Sequence, residues 1–305
     1  MTRRSARTVP SRVPYAFLTP AIGLFALFMV APIGYTVYLS LRRVQVSGLG
    51  LGARARAESF AGFANYQAVI NDGEFWQSCV RVLLYGLVLV PTMVGLALLF
   101  ALLLDVPRAR ARAFSRISIF MPYAVPAVIA SLMWGFMYLP SVGPGQWLLK
   151  ELGQQPLDLL NPTSIYFSVA NIAVWGGTGF NMIVLYTALR TVPSELYESA
   201  RIDGATEWQI AWRIKIPLLT PALIMTFVFS LIATLQVFSE PTTLRPLTNA
   251  LSSNWTPLMK IYQDAFAKDD IHTAAAASIV IAVVTLVFSF GFLQLVQRRA
   301  FGQER

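Results

Sequence analysis

Charge is what this sequence has least of. Only 13% of its 305 residues are Asp, Glu, Lys or Arg, where a soluble domain carries about a quarter. Hydrophobic residues make up 56%, and the mean hydropathy is +0.58. A chain this poor in ions has much of its surface facing lipid. The single cysteine, Cys79, excludes an internal disulfide and a cysteine-based metal centre, and reads as a small apolar residue near a helix start. The single histidine, His272, is far from it in sequence. A membrane-bound enzyme would need a nucleophile with a base, or a metal cluster, and neither can be assembled from these two. No Gly-Lys pair occurs anywhere, so the P-loop that cradles nucleotide phosphates is absent. No repeat is long enough to suggest the inverted halves of secondary transporters.

What is present is apolar length. A helix needs about 20 mostly apolar residues to cross the hydrocarbon core. Six segments qualify: Tyr15–Leu41, Val82–Leu104, Ile117–Leu139, Ser164–Leu189, Leu218–Ser239 and Thr273–Val296. None contains Asp, Glu, Lys, Arg or His. Barrel strands are about half as long and alternate in polarity. The expectation is an all-α integral membrane protein with about six transmembrane helices, forming one transmembrane domain over 1–305. The arginines at 3, 4, 7 and 12 before an apolar run resemble a signal peptide. However, the run reaches Leu41, well past a signal core of roughly 7–15 residues, and no small-residue cleavage site follows. It reads as a retained first span.

The net charge of +9 does not imply nucleic acid, because the basic residues form neither a face nor a tract. They cluster in short loops, as the positive-inside rule describes. With the N-terminus inside, the inner loops hold 15 Lys and Arg and the outer loops 8. Both termini are therefore expected in the cytoplasm. Arg42, Arg43, Arg54 and Arg56, after the first span, run against that count. Pro20, Pro32, Pro91, Pro122, Pro126 and Pro221 read as ordinary kinks of membrane helices. Ala274, Ser278 and Ala282, four apart, suit close helix packing.

The loop over 195–217 has a pattern of its own. Ser194 is expected to cap a helix whose first turn carries Glu195 and Glu198, where acids suit the dipole. Gly204 permits a sharp exit. Thr206 is expected to cap a second helix, with Trp208, Ile210, Ala211 and Ile214 as its apolar stripe. From the residues alone the unit is either a stiff corner presented to something in the cytoplasm or an amphipathic loop at the lipid interface.

Glu198-Ser199-Ala200, Asp203-Gly204-Ala205, eight residues, then Ile214, Ile216 and Pro217 resemble the EAA loop of permease subunits from binding-protein-dependent ABC importers. Ser199 and Ile216 depart conservatively from that pattern. Phe60 to Tyr66, Phe75-Trp76, Leu189 to Ala205, and Tyr262, Ala265, Phe266 and Ala275–Ser278 resemble the carbohydrate-uptake type. Arg245-Pro246-Leu247-Thr248-Asn249 stands where that type has Gly-Gly-Pro, a difference that bears on solute and binding-protein identity. The resemblance implies a type I ABC importer permease fold in a bacterial inner (plasma) membrane. It implies a second permease, two ATPase subunits that bind ATP and Mg, and an extracytoplasmic solute-binding protein; this chain itself would bind no cofactor. Glu198, Ala200, Arg201, Asp203, Gly204, Ala205, Ile214 and Pro217 would then couple the chain to the ATPase, with Arg201 pairing across the contact.

A solute path needs polar and aromatic groups on apolar helices. Trp134 and Tyr138 in the third span, Trp175, Thr178 and Asn181 in the fourth, and Gln236 with Glu240 at the end of the fifth supply them. Rings suit the apolar faces of a sugar, and amides its hydroxyls. Gly176, Gly177 and Gly179 would open space beside them, or serve helix packing. The competing class is an ion-coupled secondary transporter, which generally needs an ionisable relay within the membrane; spans without charged residues or histidine disfavour proton coupling.

Overall fold

The computed structural model describes residues 13–46, 56–106 and 111–300. The arginines at 3, 4, 7, 12, 54, 108, 110 and 305, counted above for orientation, lie outside the described residues. The chain divides into two compact units, Met1–Asn71 with Asp264–Val280 and Asp72–Gln263 with Ile281–Arg305.

In the first unit, α1 (Val13–Phe25), a π-helical stretch (Ala26–Val30) and α2 (Ala31–Ser40) run on as one apolar segment, Pro14–Ser40. The π turn sits just before Pro32, whose ring and missing N–H disrupt regular helix bonding. Strands β1 (Arg42–Val46) and β2 (Arg56–Phe60) pair antiparallel, Arg42 opposite Phe60 and Val46 opposite Arg56. In α3 (Ala64–Asn71), the buried Asn65 amide donates to Ser40 O at 2.8 Å and Arg42 O at 2.7 Å. It thereby satisfies the last carbonyl of α2 and ties it to the first residue of β1.

The second unit is built on α4 (Gly73–Asp105), 33 residues and about 50 Å long. It begins nine residues before the expected span because Asp72 caps it, accepting from Glu74 N at 2.9 Å and Phe75 N at 3.2 Å. The Asp72 carboxylate also meets Lys260 Nζ at 2.8 Å. The segment 117–139 is not one straight helix. It forms α5 (Arg112–Phe120), a 3₁₀ turn (Met121–Ala124) and α6 (Ala127–Tyr138), bent by 97°. Pro126 forces Val125 into an extended conformation, so the helix stops and restarts rather than kinking. After α7 (Pro144–Glu151) comes α8 (Ile165–Leu189), packed along α4.

Next follow α9 (Glu195–Ile202), α10 (Glu207–Ile210), a second π stretch (Ala211–Lys215), α11 (Ile216–Leu218) and α12 (Thr220–Leu235). Glu207–Leu218 meets Thr220–Leu235 at 68°. Then α13 (Ser239–Leu244) and α14 (Pro257–Tyr262) lead to α15 (Ile271–Ala300), which runs through the boundary between the units. Among the described residues four helices are long and apolar enough to span a membrane, and six if each bent pair counts once.

Two apolar clusters hold the second unit. One joins Tyr85 and Leu89 of α4 to Val169 and Ile172 of α8 and Leu235 of α12. The other joins Ala97 and Ala101 to Met182, Leu185 and Leu219. Glycine sets the closeness of approach. A Cβ on Gly179 would strike the backbone oxygen of Ile119, and one on Gly177 would sit 2.5 Å from Met93 Sδ.

Candidate functional site: a capped corner and a chamber

The corner begins at α9. Ser194 precedes it, but its side chain makes no capping bond. The exit is closed by two backbone bonds, Gly204 N to Arg201 O at 3.0 Å and Ala205 N to Ala200 O at 2.9 Å. That crossed pair is a Schellman motif, which needs a left-handed residue; Gly204 supplies it at φ +84°. Apart from its own chain neighbours, no atom of the described residues lies within 4 Å of where a Gly204 Cβ would be. Thr206 then caps α10 in a full capping box. Its Oγ1 accepts from Gln209 N at 3.3 Å, and its own N–H donates to Gln209 Oε1 at 2.8 Å.

Arg201 pairs within the corner, reaching both carboxylate oxygens of Glu207 at 2.7 and 3.4 Å. The expected stripe divides. Ile210 is buried and Ile214 half-buried, while Trp208 is 71% exposed and packs edge-on against exposed Trp212 at 5.7 Å. Ile202, at 86%, is also bare. Glu198, Asp203, Gly204 and Pro217 are exposed, and Ala200, Arg201 and Ala205 half-buried. The exposed residues of the corner thus include the apolar Ile202, Trp208 and Trp212 as well as the acids Glu198 and Asp203.

Beneath the corner lies a group that the sequence reading missed. Lys215 Nζ meets Asp105 Oδ2 at 2.5 Å, with side chains only 3% and 7% exposed. It also stands 4.8 Å over the Tyr197 ring. Burial, then the Asp105 charge, pushes the Tyr197 hydroxyl pKa up. The α9 helix, the π stretch and the end of α4 are pinned at one point.

The chamber has a volume of about 660 Å³, within the range of roughly 300–1,000 Å³ of small-molecule sites. Its walls come from α4, the α5–α6 break, α8, α12 and the start of α13. Of the expected path residues, Asn181, Gln236 and Glu240 line it. Trp134, Tyr138, Trp175 and Thr178 do not. The Trp134 ring packs on Tyr138 at 5.7 Å and Trp175 at 6.0 Å, and Thr178 bonds back to Val174 O. Tyr138 is held by Ser168 O and the Asn171 amide. Tyr138 and Thr178 are buried, and Trp134 and Trp175 are half-buried against the apolar cluster. Gly176 faces open space on the chamber wall; Gly177 lines it too, but its lack of a Cβ serves Met93.

Tyr85, Tyr123, Phe180, Phe229, Ser230 and Phe238 line the chamber and were missed. Tyr123 and Phe180 stack at 4.9 Å. Tyr85 Oη and Ser230 Oγ are buried without a hydrogen-bond partner among the described residues. Burial pushes the Glu240 carboxyl pKa up. Among the described residues no three His, Cys, Asp or Glu side chains gather to hold a metal.

Six spans or broken spans, a capped corner between the fourth and fifth, and a walled chamber define a multi-pass transport subunit. The chain belongs to the family described as binding-protein-dependent transport system inner membrane component, which matches residues 63–302. It is 28% identical over 295 residues to the sn-glycerol-3-phosphate transport system permease protein UgpA of Agrobacterium fabrum, covering 95% of this chain and 97% of that one. It is 32% identical over 229 residues to the trehalose/maltose transport system permease protein MalF of Thermococcus litoralis, 75% of each. Its fold superposes on a chain of a bacterial alginate ABC transporter, solved with an alginate pentasaccharide-bound periplasmic protein, with TM-score 0.78, 24% identity and 94% of each chain covered. Ion-coupled secondary transport has no support in these relationships.

Proposed function

We propose that this chain is the transmembrane permease subunit of an ATP-driven ABC importer for a sugar or sugar-like solute. It forms half of the path and couples through its 195–217 corner to a separate ATPase. The corner carries the reading. A Schellman exit and a capping box fix the turn between two short helices, and Ile202, Trp208 and Trp212 stand exposed on this unit. Exposed aromatics of this kind are what a partner buries. Glu198, Ala200, Asp203, Gly204, Ala205, Ile214 and Pro217 belong to that docking unit, and Arg201 stiffens it from within. The energy comes from two partner ATPases, because this sequence has no P-loop. A second permease and an extracytoplasmic binding protein complete the assembly, in a bacterial inner membrane with both termini in the cytoplasm. The names of the relatives, which include a trehalose/maltose permease, support the sugar class.

The test is Gly204→Asp in the assembled complex. Aspartate tolerates the left-handed region better than most residues, and space is open around position 204, so the chain should still fold and insert. We expect ATP-driven uptake to fall at least tenfold through lost coupling or lost assembly; uptake at the parent rate would overturn the docking role.

A further inference from the structure

Resting on that importer reading, movement of the corner has to reach the chamber wall. One covalent route runs back into α8 through the turn at 190–194. Another runs on into α12 past Leu219, where the helix axis bends by 68°. Turns and bends of this kind are where changes in backbone dihedrals are absorbed. A further route is made by side chains. Lys215 Nζ holds Asp105 Oδ2 at 2.5 Å across a separation of 110 residues, and it stands 4.8 Å over the Tyr197 ring. This contact joins α9 and the π stretch to the last residue of α4. Helix α4 is itself chamber wall, since Tyr85, Leu89 and Met93 line the cavity.

Stability alone gives no reason for charges at this point. A buried ion pair is often no more stabilising than well-packed apolar residues of the same volume. What the pair adds is a single register. An ammonium bonded to one carboxylate oxygen is held at one position, whereas apolar surfaces stay in contact over a range of offsets. With side chains 3% and 7% exposed, the bond is also shielded from salt. Lys215 ends the π stretch Ala211–Lys215, a wide turn that is rare and frequent at functional sites. Returning that stretch to α geometry would rotate the corner by about 100° relative to α12, so the Asp105 bond also fixes the phase between them. We propose that Asp105, Tyr197 and Lys215 are positioning residues for transport: their joint carries ATP-driven movement of the corner into α4, and so into the chamber wall, by holding one register.

The test uses the assembled permease–ATPase complex in nanodiscs and is independent of the solute. Cys79→Ser removes the chain's single thiol. Gly176→Cys places one on the chamber wall, where a Cβ has open space. The complex with these two changes is the reference. Maleimide labelling of this chain, with and without ATP and vanadate, reads whether the chamber responds to nucleotide, and phosphate release reads hydrolysis in parallel. In the reference, nucleotide should change the labelling rate about fivefold or more. Asp105→Leu with Lys215→Met should keep assembly, and keep hydrolysis within about twofold, because such a replacement is close to neutral for the fold. Its labelling should nevertheless respond less than about twofold. Asp105→Lys with Lys215→Asp, which restores the pair with reversed polarity, should recover the response. Tyr197→Leu should lose part of it, and Tyr197→Phe, which keeps a ring under the ammonium, none.

A full response in the apolar double variant would overturn the joint. So would its failure to assemble or to hydrolyse ATP, which would make the pair a structural support only. A charge-swapped variant as unresponsive as the apolar one would overturn it too, as would a reference that hydrolyses ATP with no change at position 176. A reference that hydrolyses no ATP defeats the importer reading, and the joint with it. Equal responses from a working reference and the apolar double variant remove the joint alone and leave the importer standing.

Discussion

Asp105 and Lys215 face each other where neither has water to fall back on. Their side chains are 7% and 3% exposed, so removing one leaves a charge buried without its counter-ion. We expect Asp105→Ala to cost about 3–5 kcal/mol, whereas replacing both by apolar residues of similar size should be close to neutral. Thermal melts of the two variants in one detergent check this. Asp72 makes a different case at the head of α4. Burial raises its pKa, but the Lys260 hydrogen bond and charge, with the two backbone N–H groups, outweigh this and hold it below the usual carboxylate range. A depressed folded pKa contributes stability above the unfolded value of about 4, and that contribution disappears as the pH falls through the folded value. Wild type should therefore lose melting temperature as the pH falls below about 4, while Asp72→Asn, which keeps a capping oxygen, loses less; parallel curves would refute the linkage. Neither pair was legible in the sequence. Lys215 counted there only as one positive charge of a cytoplasmic loop, and its partner lies 110 residues earlier.

At the scale of elements, hydropathy marked where apolar length lies but could not give its direction. The stretch 117–139 met every criterion for one span, yet it turns by 97°, because two prolines four residues apart stop a helix rather than bend it. Trp208 was assigned to the wrong side of its helix. It shares a face with Trp212, one turn on, while Ile210 and Ile214 point inward. Gly204 and Thr206, by contrast, were legible, since caps and left-handed exits are written in local residue types. The glycines of α8 look alike in sequence and differ in space. Gly179→Val should lower the melting temperature by about 5 °C or more, since its Cβ meets backbone that cannot move aside. Gly176→Ala, with nothing within 4 Å, should leave it unchanged. Equal losses from both would show that α5 does not constrain α8.

For the whole molecule, the absent P-loop makes a prediction of its own. The chain purified without partners should hydrolyse no ATP, and turnover above background in a phosphate-release assay would count against a division of labour between subunits. Reporter fusions at the two ends should both be active in the cytoplasm. Such a division requires motion to travel between chains, and here the buried ion pair has a mechanical consequence. With Asp105, Tyr197 and Lys215 locked together, the corner is bolted to the foot of a helix about 50 Å long. Under the proposed docking, a push on Gly204 would be handed to α4 through this buried contact, and a small tilt at the foot of a helix this long would become a larger displacement at its far end.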